Sequence, residues 1–496
     1  MWSNLMLKAS VKLGLQLMQI GLVAGWSSPY IAQLLSGESI ILITKQEATI
    51  IVSLVNVGRI IGGILGAVFV AYFGSRKTIL FSSVPISLCW IFKIIANNIV
   101  WLYLGRFLGG FYLGVCYTCF SLYLGEIADS NIRGALVLVG MIGMSCGYLL
   151  MSIMGPYLSL ILSSSVCLIL STIYMLLFIW LPDTPHHLMI QKRFDKVKKS
   201  ILWYHRNSNV NVEFLNLKQF IESSCSESIW QTLQKFKIPQ MRKALIITNV
   251  LFFYTQSCGI NNIAFYMEII LENAEVTVIK PSLVVIIIAI CGIFGCLLSI
   301  RLIDYYGRKF LMCVSCFAIA ISLTVLGIHF ELLESDIDPN KIQWIPIASF
   351  ILFQIAVFAG LLPVPSAIVG EIFPPDIKCV AASICSINAA IFAFISSSTY
   401  QFFIDLMTEK FTYWMYAILL ITAIPTTIIF LPETKGKTLQ EIQDQLMSKG
   451  SKEYKKMMPK VQRPCAGPTS PEAHTRRTSN RIRAICEQTK LISPTV

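Results

Sequence analysis

Apolar residues in this chain come in long blocks, interrupted by polar stretches at nearly regular intervals. The blocks run over residues 11–35, 49–73, 78–96, 99–124, 134–156, 158–181, 243–272, 280–304, 310–332, 344–370, 379–405 and 411–431. A helix needs about 20 apolar residues to cross the hydrocarbon of a bilayer, so each block predicts one transmembrane helix. Backbone polar groups inside lipid must be satisfied internally, which a helix does on its own. The pattern therefore predicts an all-α membrane protein with twelve spans. A polar stretch, 182–242, separates the sixth block from the seventh, and its amphipathic runs at 214–221 and 229–236 predict short cytoplasmic helices. The predicted divisions are 1–181 for six helices, 182–242 for a linker, 243–431 for six more helices, and 432–496 for a cytoplasmic tail. From about Met447 the tail is rich in Lys, Arg, Pro and Ser, a composition that predicts disorder. Its Arg476-Arg477-Thr478-Ser479 has the form of a basophilic kinase target.

Composition narrows the class. Of 496 residues 55% are apolar and 14% charged, against roughly 25% charged in soluble domains, too few to coat a soluble chain of this length. The basic residues set the expected orientation. With both termini placed in the cytoplasm, the inner segments hold 33 of the 40 Lys and Arg. The outer loops hold Lys45, Lys280, Lys341 and Lys410, while Arg59, Lys93 and Arg106 fall within predicted helices. That asymmetry follows the positive-inside rule. The net charge of +13 thus reflects topology and anionic lipid headgroups, and nucleic acid is not an expected partner. Lys8 and Lys12 precede a first block longer than a secretory signal core, so a retained helix is expected. No Asn-x-Ser/Thr sequon occurs. Twelve of the fifteen cysteines lie in predicted helices, including the Cys116/Cys119 and Cys313/Cys316 pairs. Inside lipid these are expected to be small packing residues, because a metal site needs further ligands. The loops contain no nucleotide-binding glycine loop or nucleophile–base pair, so neither enzyme chemistry nor a cofactor nor a metal is expected.

The chain also repeats itself. Ala71-Tyr72-Phe73-Gly74-Ser75-Arg76-Lys77 pairs with Asp304-Tyr305-Tyr306-Gly307-Arg308-Lys309, and Glu126 with Arg133 pairs with Glu371 and Lys378. Pro182-Asp183-Thr184-Pro185 after the sixth block matches Pro432-Glu433-Thr434-Lys435-Gly436 after the twelfth, and the three offsets are 233, 245 and 250 residues. Two six-helix halves joined by a polar linker suit a carrier whose halves rock about a mid-membrane site. Together with Gly105-Arg106-Phe107-Leu108-Gly109-Gly110, Tyr123-Leu124-Gly125-Glu126 and Gln256-Ser257-Cys258-Gly259-Ile260-Asn261, these segments resemble the sugar porters of the major facilitator superfamily. The likeness is greatest to the insect-type facilitated trehalose transporters, and it covers residues 11 to about 445.

The resemblance implies the major facilitator fold, a sugar-like solute, facilitated transport across the plasma membrane, and function as a monomer. It implies a cytoplasmic latch of Arg76, Lys77, Glu126, Arg133, Asp304, Arg308, Lys309, Glu371, Lys378 and Glu433 that pairs when the protein opens outward. Ala71, Ser75 and His186 depart from the family pattern, so the amino-terminal half of the latch is expected to be weaker. For solute contact it implies Gln256 and Asn261, with Thr255, Asn262, Asn388 and Ser366 as further candidates and Phe265 and Tyr266 as the outer gate. Gly259 is expected to loosen the seventh helix, and Pro363 and Pro365 to break the tenth, freeing carbonyls. Met141, Thr255, Gly292, Ser366 and Ala389 stand where relatives carry sugar-binding groups. Proton-driven relatives have an Asp in the first helix where this chain has Val23, which implies uniport. Arg59 is explained by neither pattern nor resemblance, and an intramembrane charge is by default functional. Glu268 is its candidate partner, and that of Arg106. Two rivals remain at this point: an organic-anion carrier using Arg59 and Arg106, and a non-transporting solute sensor signalling through the tail.

Overall fold

A computed structural model of the chain describes residues 4–37, 41–127, 130–204, 209–224, 229–335, 337–437 and 439–446. The tail beyond Leu446, with the kinase-like motif, lies outside the described residues. So does the side chain of Arg133.

Each apolar block becomes a helix or a broken pair of helices. The first span is α1 (Asn4–Gly25) and α2 (Ser27–Leu35), broken at Trp26. Spans two to six are α3 (Lys45–Phe73), α4 (Ser75–Ile94), α5 (Ile99–Ile127), α6 (Ser130–Tyr157) and α7 (Leu160–Ile179). The linker folds into α8 (Pro185–Ile190), α9 (Phe194–Tyr204), α10 (Val210–Ser224) and α11 (Ile229–Gln234). The seventh span is again broken, into α12 (Pro239–Ser257) and α13 (Ile260–Asn273). Spans eight and nine are α14 (Pro281–Tyr306) and α15 (Arg308–Glu334), and the short α16 (Pro339–Ile342) leads to the tenth span. That span is α17 (Trp344–Ala356), a π-helical turn at Val357–Leu361 and α18 (Pro363–Ile372). The eleventh and twelfth spans run together as α19 (Pro375–Phe430), turned at Thr408 with φ of 70°. The short α20 (Leu439–Leu446) closes the described chain.

The breaks have local causes. Gly259 has φ of 81°, and a Cβ there would sit 2.7 Å from the Tyr416 ring, so no other residue fits this left-handed turn without strain. Pro363 lacks the N–H that would continue α17, and Leu362 N–H bonds back to Val357 O at 3.0 Å, the wide turn of a π-bulge. The second span starts at Lys45, earlier than hydropathy predicts, because Thr44 and Glu47 form a reciprocal capping box.

The repeat is visible in backbone geometry. Gly74 and Gly307 join consecutive spans with nearly the same dihedrals, φ 82°, ψ 160° and φ 90°, ψ 165°. Gly74 abuts His187 after the sixth span, and Gly307 abuts Glu433 after the twelfth. The face carrying these turns and the linker is termed inner, and the opposite face outer. Within each half small residues let backbones meet: Gly58, Gly62 and Gly66 of α3 pack on α5, the small-residue packing favoured between helices in lipid.

Candidate solute site and gates

The outer ends of the two halves are sealed against each other. Asn56 of α3 donates to Ala393 O at 3.3 Å and Ser397 Oγ at 3.0 Å on α19. One turn outward, Ser398 Oγ donates to Ser53 Oγ at 3.2 Å. Glu268 N–H on α13 bonds Ser28 Oγ on α2 at 3.1 Å, and the Tyr148 hydroxyl on α6 donates to Ala264 O at 3.4 Å. Nothing in the sequence pattern singled out Asn56, although an amide within an apolar run was a usable signal, since such a group needs a partner.

At the inner face the latch residues form ion pairs that, among the described residues, stay within one half and its adjoining segment. In the second half Arg308 reaches Glu371 at 2.8 Å and Asp304 at 3.5 Å. Glu433 accepts the N–H groups of Arg308 and Lys309 at 3.2 Å each, capping α15, where a carboxylate also favours the helix dipole. Lys309 Nζ donates to Ile428 O at 2.5 Å, and Lys378 Nζ to Gly370 O. The first half repeats this with fewer charges. Ser75 takes the place of Arg308 and donates to Glu126 Oε2 at 2.5 Å, while His186 lies 3.9 Å from the same carboxylate. Arg76 pairs with Asp183 at 3.0 Å, and no ion pair is described for Lys77. Burial holds the neighbouring His187 imidazole below its ordinary pKa.

The polar groups of the seventh and eleventh spans divide into those already committed and those left open. Asn262 is fully buried and donates to Ser396 and to the Tyr416 hydroxyl at 3.0 Å. Asn388 donates to Asn249 Oδ1 at 2.8 Å. The Thr255 hydroxyl bonds Leu251 O at 2.9 Å and Leu361 O at 3.3 Å, so the carbonyl freed by the π-turn is capped internally. Ser366 on α18 is exposed. Gln256 and Asn261 bond each other across the break, Asn261 Nδ2 to Gln256 Oε1 at 2.9 Å. The Gln256 amide nitrogen and Asn261 Oδ1 have no hydrogen bond among the described residues, one donor group beside one acceptor, and the buried Asn262 Oδ1 is likewise without a partner there.

The residues expected to form the outer gate are packed against their neighbours. Tyr266 stacks on Tyr400 with centroids 5.3 Å apart, and both line a pocket shared with Lys45, Asn273, Gln401 and Glu409. Phe265 is buried, and the Arg106 guanidinium lies 5.9 Å from its ring centroid.

The intramembrane cations are held differently from what the sequence leads one to expect. No ion pair joins Glu268 to Arg59 or Arg106 among the described residues. Arg106 is fully buried and donates to Ile51 O, Val23 O and Ser27 Oγ at 3.3, 3.0 and 2.5 Å. It also faces the Trp26 ring at 4.9 Å, which the Lys93 ammonium shares at 4.4 Å. The aromatic faces and carbonyls do the work assigned to a carboxylate. Arg106 therefore has no free fork to offer a solute.

Two repeated six-helix halves, sealed at one face and carrying charged clusters at the other, with broken helices around an amide pair, define an alternating-access membrane transporter. A family model described as "Sugar (and other) transporter" matches residues 20–446, and the chain belongs to that family. Facilitated trehalose transporter Tret1 of Bombyx mori is 30% identical over 453 residues, covering 90% of this chain and 88% of the relative. The Tret1 of Polypedilum vanderplanki is 28% identical over 449 residues, covering 89% and 88%. Among solved structures, the proton:xylose symporter XylE bound to 6-bromo-6-deoxy-D-glucose superposes with a TM-score of 0.72 at 19% identity, over 88% of this chain and 99% of that one. A partially occluded, inward-open form of XylE from E. coli gives 0.73 at the same identity, over 88% and 100%. These matches show the major facilitator fold.

Proposed function

We propose that this chain is a facilitative carrier that moves a sugar such as trehalose or a hexose across the plasma membrane as a uniporter. In this reading the termini are cytoplasmic, the working unit is one chain, and residues 1–181 and 243–431 rock about the 182–242 linker. The observation that carries the reading is the Gln256–Asn261 pair at the Gly259 break. A sugar presents neighbouring hydroxyls that both donate and accept, and a fixed amide donor beside a fixed amide acceptor matches them. The family membership and the Tret1 relatives support a sugar as the solute. Uniport is supported by Val23, an apolar side chain whose carbonyl takes the Arg106 hydrogen bond. In the amino-terminal half, among the described residues, no carboxylate lies between Glu47 at the outer end and Glu126 at the inner end, so none is placed to carry a proton through the seam. The experiment is uptake of labelled trehalose and glucose in oocytes at equal and unequal external pH. Saturable uptake that ignores the proton gradient is expected, and uptake that tracks the gradient overturns the uniport reading.

A further inference from the structure

Among the described residues, two intramembrane cations lack hydrogen-bond partners: the Lys93 ammonium, which is fully buried against Trp26 and Trp90, and Arg59, which is not fully buried. Arg59 is the central residue of the 29-residue α3, about 21 Å from either end at 1.5 Å per residue. Its guanidinium carbon lies 4.7 Å from the centroid of the Tyr117 ring. It has no hydrogen bond or ion pair among the described residues, its Nε is buried without a partner, and the side chain as a whole is half-buried.

The helical face tells where that side chain points. Gly58, Gly62 and Gly66 form the stripe that packs on α5. Ser53 and Asn56 bond α19, and a Cβ on Gly63 would meet Ile387 of α19 at 3.3 Å. At 100° per residue Arg59 falls between these two stripes, so it projects into the wedge between the fourth and eleventh spans, where the two halves meet. Tyr117, the ring beneath it, is itself steadied from α6, its hydroxyl reaching Met144 Sδ at 3.7 Å. The result is a planar fork on an aromatic platform, at the seam between the two halves.

We infer that Arg59 is a solute-contact residue and that the carried solute class includes sugars bearing a carboxylate, such as uronic or aldonic acids. This rests on the carrier reading above and deepens it. A guanidinium in a low-dielectric seam without a counter-charge is costly, and one aromatic face offsets only part of that cost. A carboxylate on the solute supplies the missing charge and matches the fork with two parallel hydrogen bonds. Arg106 and Lys93 cannot serve, because both are fully buried against Trp26.

The test uses the full chain in proteoliposomes and measures how glucuronate and glucuronamide, which are nearly the same shape but differ in charge and in one acceptor oxygen exchanged for an amide donor, inhibit uptake of the labelled neutral sugar. Glucuronate is expected to inhibit at a concentration about 10-fold lower or more. Arg59→Gln should collapse that ratio toward one, and Arg59→Lys should keep much of it. If the neutral sugar is carried but the two inhibitors are equal, or if Arg59→Gln leaves the ratio intact, the inference is wrong and the carrier reading stands. If correctly inserted protein carries no sugar, the carrier reading fails and takes the inference with it. Should Arg59→Gln fail to insert, the wild-type ratio and Arg59→Lys decide.

Discussion

Asn261 and Gln256 hold one another before any solute arrives. On the proposed function, each mutation removes a solute contact, and it also frees the partner amide. Losing a hydrogen bond to a substrate hydroxyl costs on the order of 1–3 kcal/mol. Gln256→Leu and Asn261→Leu should each raise the half-saturation constant roughly 5- to 150-fold at normal surface abundance. The double variant should cost less than the sum, because the two residues share one hydrogen bond at 2.9 Å and contacting residues are not additive. Surface-normalised uptake kinetics of the three variants decide it, and unchanged affinity in both single variants removes the site from the seventh span. Asn262 makes the contrasting case. It is buried between α13 and α19, bonded to Ser396 and Tyr416, so Asn262→Leu is expected to lower the amount of folded protein.

At the scale of the element, the broken seventh span depends on one glycine with a positive φ. Gly259→Ala pays about 1–2 kcal/mol for a left-handed alanine, and its Cβ also collides with Tyr416 at 2.7 Å. Gly436 has φ of 68° with nothing within 4 Å, so Gly436→Ala isolates the backbone cost. Thermal unfolding of the solubilised protein should show the larger loss for Gly259→Ala, and equal losses would mean the Tyr416 contact is irrelevant. Much at this scale was legible from the chain. Hydropathy found every span, glycine and proline marked the breaks at 259 and 363, and duplicated motifs marked the inner turns. What stayed hidden were pairings that need three dimensions. No spacing reveals that Arg106 is satisfied by carbonyls of α1 and α3 instead of by Glu268, or that Asn249 consumes Asn388. The site residues came through resemblance, and the structure then sorted them by which amide groups remain free.

Across the whole molecule, the α3–α19 seam is the outer closure, and opening outward must separate Asn56 from Ser397, now 3.0 Å apart. Joining them should therefore stop the cycle. With Asn56→Cys and Ser397→Cys together, a short bifunctional thiol reagent is expected to abolish uptake, while either single variant treated alike retains it. Full transport by the cross-linked double variant would mean that this seam does not part. The inner clusters suggest an uneven counterpart. Arg308 ties three acidic groups together in the second half, and Ser75 stands in its place in the first.

Arg59 has one more consequence, and it is electrical. Because the seam changes sides around it, this fixed charge would communicate with the inner solution in one state and the outer solution in the other. It then crosses much of the membrane potential without travelling, and a full crossing is worth about 2.3 kcal/mol per 100 mV. The empty carrier should prefer one orientation at rest and release small transient currents when the voltage is stepped. A carboxylate solute would cancel the charge and silence those currents, whereas a neutral sugar would leave them. Voltage-clamp recordings from oocytes, with Arg59→Gln as comparison, should show the transients only where the arginine is present.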